Sequence, residues 1–173
     1  VVVDPAMADD GKLYPVFKPD MVTEMKKLIT AATVVTPNYT EACLLTDRPY
    51  ENKPATTDEL LSLCHSLADM GPKQVVITSV PSEEGAIRIA CFDAREGTYT
   101  DYKVKRIPFA TCGTGDLFTS VVTGSLLSGK SLAEAVKKAA SFLSYAIEYT
   151  YKQGSDYREG VQVEPCLAKL WEN

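Results

Sequence analysis

The stretch "ATCGTGDLFTS", residues 110–120, joins a glycine-rich turn to the start of a predicted helix. Gly113 and Gly115 flank Thr114, and Asp116 follows directly. Glycines at a helix start let backbone N–H groups converge on one point, which is how a chain holds a phosphate or another anion. An acidic residue in the first turn also complements the helix dipole. The pattern therefore leaves two interpretations open: a simple helix cap, or an anion site with a carboxylate beside it.

Length and composition predict one globular domain that binds a small molecule. With 173 residues, 45% of them hydrophobic, the chain is long enough for a core. Its net charge of −5 and its lack of a basic block argue against nucleic acid as a partner. Five cysteines without a CxxC pair are typical of reduced thiols. No signal peptide or membrane-length apolar run is visible, so we expect a cytoplasmic protein without a membrane partner.

Apolar runs alternate with helical periodicity along the chain, which predicts a layered α/β fold. "VVVDP", residues 1–5, opens with a run typical of a fully buried parallel strand that leads into a loop. Further strands are expected at about residues 33–36, 73–79, 86–92 and 98–105. Helices are expected at about residues 20–32, 38–46, 57–70, 115–127, 132–152 and 164–171.

Polar side chains follow the predicted strands, and open α/β sheets build their sites at such strand ends. Asp4 comes directly after the first strand, where it either shapes a turn with Pro5 or faces a cleft. Asp9 and Asp10 follow in the loop and are expected to be solvated. The loop lacks oxygen ligands at alternate positions, which excludes a calcium loop and leaves a magnesium or phosphate role open.

Two further strand ends carry polar pairs. In "TPNYTE", Asn38 and Glu41 have the spacing of a capping box. The same two side chains could instead face the cleft of Asp4 and order magnesium through water. Thr78 and Ser79 place two hydroxyls at the end of another strand, where they could bond phosphate oxygens or the backbone of a turn.

Taken together, these positions fit phosphoryl transfer from a nucleoside triphosphate. Magnesium would lie near Asp4 and Glu41, and the N–H groups of the GTGD turn would stabilise the transferring phosphoryl group. Asp116 would take the proton from the attacking hydroxyl. Neither a P-loop nor a protein-kinase signature is present in the sequence.

The motifs DPAMAD, TPNYTE, ITS and GTGDLF, in this order and at these separations, resemble the C-terminal part of the ribokinase-like superfamily. Within it they are most similar to the pyridoxal (pyridoxine, pyridoxamine) kinase family. The resemblance implies an α/β sheet with helices on both faces, here without the family's N-terminal strands and lid. Residues 1–173 are thus interpreted as the nucleotide-binding, C-terminal portion of a single kinase domain. Alone, they are expected to bind nucleotide weakly and not to phosphorylate the vitamin.

The resemblance also implies an activity: ATP-dependent phosphorylation of the 5′-hydroxymethyl group of pyridoxal, pyridoxine or pyridoxamine, the vitamin B6 vitamers. Mg2+ and a monovalent cation (K+) are the expected ions, and a homodimer is the expected assembly. Asp116 matches the catalytic base, and the turn formed by Gly113, Thr114 and Gly115 matches the anion hole. Asp4 and Glu41 match acidic positions near the ATP phosphates and magnesium.

Other family positions are carried over in the same way. Asn38 matches the asparagine of the NYTE motif, and Thr78 with Ser79 match hydroxyls that contact the phosphates. The adenine is expected against the segment before the anion hole, although apolar residues at such positions are more often plain core. Three residues are candidates for this wall: Val104, Ile107 and Phe118.

Two alternatives remain open. Hydroxymethylpyrimidine and phosphomethylpyrimidine kinases belong to the same superfamily, but their anion hole usually reads GTGC, so Asp116 favours the pyridoxal branch. A non-catalytic nucleotide-binding fragment would keep the motifs only as turns.

Ala8 stands where the family's DPVMGD pattern has glycine, which puts the role of Asp9 in doubt. Cys112, just before the GTGD turn, is expected to be a small buried residue rather than a nucleophile.

Overall fold

The computed structural model describes residues 1–83 and 85–171, which form two compact units. The first unit comprises Val1–Lys103, and the second begins at Val104. The strands are β1 (Val2–Val3), β2 (Ala8–Asp9), β3 (Lys12–Leu13), β4 (Val34–Val35), β5 (Gln74–Pro81), β6 (Ala86–Asp93) and β7 (Thr98–Lys105). The helices are α1 (Asp20–Ile29), α2 (Tyr39–Leu45), α3 (Thr57–Asp69), α4 (Thr114–Leu127) and α5 (Leu132–Lys152). Short 3-10 turns follow at Tyr157–Glu159 and Glu164–Leu170.

Five of the strands form one sheet in the order β1-β4-β5-β6-β7. The ladders of β1 with β4 and of β4 with β5 are parallel, and Val35 is the partner of both Val3 and Val75. β5 and β6 are antiparallel, so the sheet is mixed. In the first unit, α2 and α3 pack on β5, and α1 packs on α2. The predicted α/β fold is confirmed.

β1 is an edge strand, and within the described residues it pairs with β4 alone. The other edge of β1 has no partner strand among residues 1–83 and 85–171. Complete burial of the run is wrong, however, because Val1 is 75% exposed whereas Val3 is 8% exposed. Val1 precedes β1, although its carbonyl accepts from the N–H of Val34 in β4 at 3.1 Å.

A hairpin of β2 and β3 occupies part of a segment that the sequence predicted as a loop. Asp10 (φ 47) and Gly11 (φ 78) form its turn in the left-handed region. A Cβ at Gly11 would lie only 2.6 Å from the ring of Tyr50, so glycine is required for space as well as for backbone conformation. The Gly11 N–H donates to Thr40 Oγ1 at 3.0 Å. This bond anchors the hairpin on α2.

Each unit has buried apolar side chains of its own. In the first, the largest come from the loop after β1 and from α1, α2, α3 and β5: Met7, Ile29, Leu45, Leu60, Leu67 and Ile77. In the second, α4 and α5 pack together and bury Val122 and Val136. Burying each such side chain stabilises the fold by about 1.5–3 kcal/mol. In the described part of the chain, no helix combines the length and apolarity that crossing a membrane requires.

Candidate active site

Asn38 joins the loop after β1 to the start of α2. Its side-chain Nδ2 donates to the carbonyl of Ala8 at 2.7 Å, and its Oδ1 accepts from the Glu41 N–H at 2.9 Å. Glu41 Oε2 in turn accepts from the Asn38 N–H at 2.8 Å. The predicted capping box is confirmed. The bond to Ala8 adds a contact across 30 residues that local spacing could not reveal.

Glu41 is a buried carboxylate that binds backbone from two segments. It is 2% exposed, and its Oε1 accepts from the N–H groups of Met7 at 2.9 Å and Ala8 at 3.3 Å. Burial raises the pKa of Glu41 to about 7, although the N–H groups that it accepts lower it. The charge of Asp4 raises this pKa further. A cation bound beside the carboxylate would favour its ionised form.

Asp4 follows β1 and is half-buried, and its negative charge is one of the causes that raise the pKa of Glu41. Asp9 and Asp10 are exposed, as expected. Across residues 1–83 and 85–171, no group of three or more His, Cys, Asp or Glu is arranged to hold a metal ion. A magnesium site at Asp4 and Glu41 therefore stays a prediction, and its other ligands would be phosphate oxygens or water.

Thr78 and Ser79 lie inside β5, so the prediction that they end a strand is wrong. The ladder between β5 and β6 shifts register at these residues, and Ser79 has φ 54. Such a bulge interrupts pairing without ending the strand. Thr78 forms an isolated parallel bridge with Asn38, and its N–H donates to the Pro37 carbonyl at 2.9 Å. The first unit thus brings three predicted motifs together, with Asn38 in contact with both others.

In the second unit, the GTGD turn begins α4. Gly113 is the N-cap residue with φ 80, and no described side chain caps this helix end. By contrast, α2, α3 and α5 each begin with a capping box, whereas α1, like α4, has no cap from a described side chain. The first N–H groups of a helix have no intrahelical partner, so those of the turn are available to an anion. Asp116 lies in the first turn of α4 and is exposed.

Sequence reasoning missed the contacts that the residues before this turn make with a distant segment. Thr111 Oγ1 donates to the Tyr157 carbonyl at 2.7 Å, and Cys112 Sγ lies 3.7 Å from the Arg158 carbonyl. Each pair is 46 residues apart, which leaves no local signal to find it. The predicted burial of Cys112 is wrong: the residue is exposed, although its thiol approaches a carbonyl.

The three adenine-wall candidates have different surroundings. Val104, at the end of β7, and Ile107, in the following loop, are half-buried and keep some surface for a ligand. Phe118 is 3% exposed. Its burial favours the plain core role that the sequence left open for such residues.

A mixed α/β fold with an uncapped glycine turn and an adjacent carboxylate defines a candidate anion-binding protein, and comparisons with known proteins identify its family. The profile of the phosphomethylpyrimidine kinase family matches residues 1–160. The chain therefore belongs to this family, and its likeness to pyridoxal kinases confirms the resemblance seen in the motifs.

Three solved structures illustrate this likeness. A Bacteroides thetaiotaomicron protein, provisionally named a phosphomethylpyrimidine kinase and crystallised with pyridoxal, is 40% identical, with TM-score 0.93 over 98% of this chain and 59% of its own. Pyridoxal kinase from Lactobacillus plantarum is 35% identical, with TM-score 0.85 over 98% and 60%. Pyridoxal kinase from Leishmania donovani, in complex with ADP and ginkgotoxin, is 26% identical, with TM-score 0.84 over 99% and 57%. The chain spans about half the length of the curated relatives it matches.

Proposed function

We propose that this chain forms the nucleotide-binding side of a single kinase domain that phosphorylates the 5′-hydroxymethyl group of pyridoxal, pyridoxine or pyridoxamine with ATP. The observation that carries the proposal is the N-terminus of α4. Gly113 turns the backbone there, and no side chain of the described residues caps this end of α4. Asp116 is exposed in the same turn. Similarity to two pyridoxal kinases, one of them solved with ADP, supports both the substrate class and the nucleotide.

Asp116 is the general base in this proposal. It accepts the proton of the vitamin's hydroxyl while the alkoxide oxygen forms a bond to the γ-phosphorus of ATP and the bond to the β-phosphate oxygen breaks. ADP leaves with the bridging oxygen. The N–H groups of Gly113, Thr114 and Gly115 stabilise the negative charge of the transferring group, as preorganised donors do in a water-poor site.

Magnesium belongs, in this proposal, beside Asp4 and Glu41. Burial gives Glu41 a pKa of about 7, so a divalent cation close to it would favour the ionised carboxylate. Asn38 holds the two segments that carry these acids, through its bonds to Ala8 and Glu41. Thr78 and the exposed Ser79, at the neighbouring bulge, then offer hydroxyls to the phosphates.

A second candidate is phosphorylation of hydroxymethylpyrimidine or its phosphate. The family whose profile matches the chain is named for this activity, as is the Bacteroides protein. That protein is nevertheless described in a crystal form with pyridoxal, which supports the first candidate. The aspartate of the GTGD turn also favours the pyridoxal branch.

A substrate panel distinguishes these possibilities. The full-length protein is assayed with ATP and Mg2+ on pyridoxal, pyridoxine, pyridoxamine and hydroxymethylpyrimidine, and ATP binding is measured by calorimetry. We expect kcat/KM for one vitamin B6 vitamer to exceed that for hydroxymethylpyrimidine by about tenfold or more, about 1.4 kcal/mol of transition-state discrimination. The reverse order would favour the second candidate. ATP binding without turnover on any of the four would indicate a non-catalytic protein.

A further inference from the structure

The two residues before Gly113 contact a segment that lies 46 residues further along the chain. Thr111 Oγ1 donates to the carbonyl of Tyr157 at 2.7 Å, and Cys112 Sγ approaches that of Arg158. A Cβ at Gly160 would lie 3.5 Å from the Cys112 carbonyl oxygen, so the two backbones are packed to contact. The 3-10 turn at Tyr157–Glu159 therefore packs against the residues that precede Gly113, and it is called the support below.

This support is itself fixed in shape. Asp156 Oδ1 accepts from the Arg158 N–H at 2.9 Å and from its Nε at 3.0 Å, which orders the 3-10 turn. Beyond the turn, the Gln162 N–H donates to Thr150 Oγ1 at 3.0 Å. Thr150 is fully buried in α5. The support is thus attached to the longest helix of the second unit.

A helix end that lacks a side-chain cap needs another source of order. Gly113 has φ 80, a conformation that glycine enters at little cost and also leaves readily. Oxyanion-type donors act only when they are held within a few tenths of an ångström of their working position. Thr111 lies two residues before Gly113, and its hydroxyl bonds the Tyr157 carbonyl at 2.7 Å, which is shorter than the 3.7 Å from Cys112 Sγ to the Arg158 carbonyl.

We propose that Thr111 is a positioning residue, which orders the GTGD turn by bonding it to the Tyr157 carbonyl without touching substrate or nucleotide. The proposal rests on the proposed function for its effect on turnover. Its effect on the order of the turn is independent of any substrate.

The test compares Thr111→Val with Thr111→Ser in the full-length protein. Valine keeps the shape and removes the hydroxyl, whereas serine keeps the hydroxyl and serves as the rescue variant. Thr123→Val is the matched control, because Thr123 Oγ1 donates to the Thr119 carbonyl within α4, so the substitution removes a hydroxyl from the helix interior instead of from the segment before the turn. Hydrogen exchange at the amides of residues 114–116 is measured together with kcat and KM for ATP.

We expect Thr111→Val to speed amide exchange about fivefold or more and to lower kcat about tenfold, with KM for ATP changed less than about twofold. Thr111→Ser and Thr123→Val should match the wild type in both measurements. Unchanged exchange in Thr111→Val would overturn the positioning role. Faster exchange with unchanged kcat would also overturn it, because order in the turn would then not matter for turnover. A wild-type protein without kinase activity would refute the proposed function, while the exchange comparison would still decide whether Thr111 orders the turn.

Discussion

Glu41 Oε1 lies 2.9 Å from the backbone N of Met7, so one buried carboxylate ties the loop after β1 to the first turn of α2. The same carboxylate accepts the Asn38 N–H through its other oxygen. Glu41 is therefore more than a helix cap, because its loss would release the loop that carries Asp4. A change of Glu41 should therefore affect both the position of Asp4 and the stability of the fold.

Glu41→Gln should weaken both stability and magnesium use. An amide NH2 would replace one acceptor and face a backbone N–H, which should cost about 1–3 kcal/mol of the free energy of unfolding. Loss of the charge should raise the magnesium concentration needed for half-maximal turnover. Urea unfolding and a magnesium titration measure the two effects.

Glu59→Gln is the matched control for this change, because Glu59 closes the corresponding capping box of α3 with Thr56 but is exposed. It should lower stability less than Glu41→Gln and leave the magnesium titration unchanged. An unaltered magnesium requirement in Glu41→Gln would leave Glu41 only a structural role.

Gly113→Ala should separate backbone strain from function. An added Cβ meets nothing within 4 Å, but φ 80 is unfavourable for alanine, so we expect a loss of about 1 kcal/mol. Gly129 has φ 83 and equally open surroundings just beyond α4, which makes Gly129→Ala a close control. Both variants should lose similar stability in thermal unfolding, and only Gly113→Ala should lose kcat. Equal activities would exclude a special role for the Gly113 turn.

Protonation of Asp93 should lower the free energy of unfolding in acid. Hydrogen bonds from the Arg95 side chain lower the pKa of this buried carboxyl to about 2, and Gln74 Nε2 donates to it at 2.6 Å. Because the folded-state pKa lies below the unfolded value, the ionised form stabilises the fold above about pH 4. This stabilisation, about 2 kcal/mol, is lost as the pH falls toward 2. Unfolding free energies of the wild type and Asp93→Asn should therefore converge in acid, and parallel profiles would contradict this assignment.

The sequence predicted the long elements and the local motifs well. Residues 132–152 were expected as a helix and form α5 with those bounds, because a periodic apolar face and a Ser131 cap mark it. The Asn38–Glu41 capping box was likewise visible in its spacing. Such features depend on residues that are close in the chain, which is why a pattern can reveal them.

Features that depend on distant contacts were missed. The strands β2 and β3 have only two residues each, too few for alternation to show, although Asp10-Gly11 is a recognised hairpin signal. The bulge at Ser79 follows from its pairing with β6, and nothing in "VVITS" marks it. Cys112 is exposed, with its thiol 3.7 Å from the carbonyl of the distant Arg158, whereas a thiol is on average a buried side chain.

Replacement of the proposed base tests the account most directly. Asp116→Asn in the full-length protein should lower kcat for pyridoxal phosphorylation by about 10² or more, with little change in ATP affinity, because a general base contributes about 10²–10⁴ to the rate. Asp20→Asn is the control, since Asp20 is also an exposed acid in a first helical turn, where it complements the dipole of α1. The measurement is formation of pyridoxal phosphate under saturating ATP and Mg2+. A large loss confined to Asp116→Asn is the predicted result, and near-normal turnover in that variant would contradict the proposed mechanism.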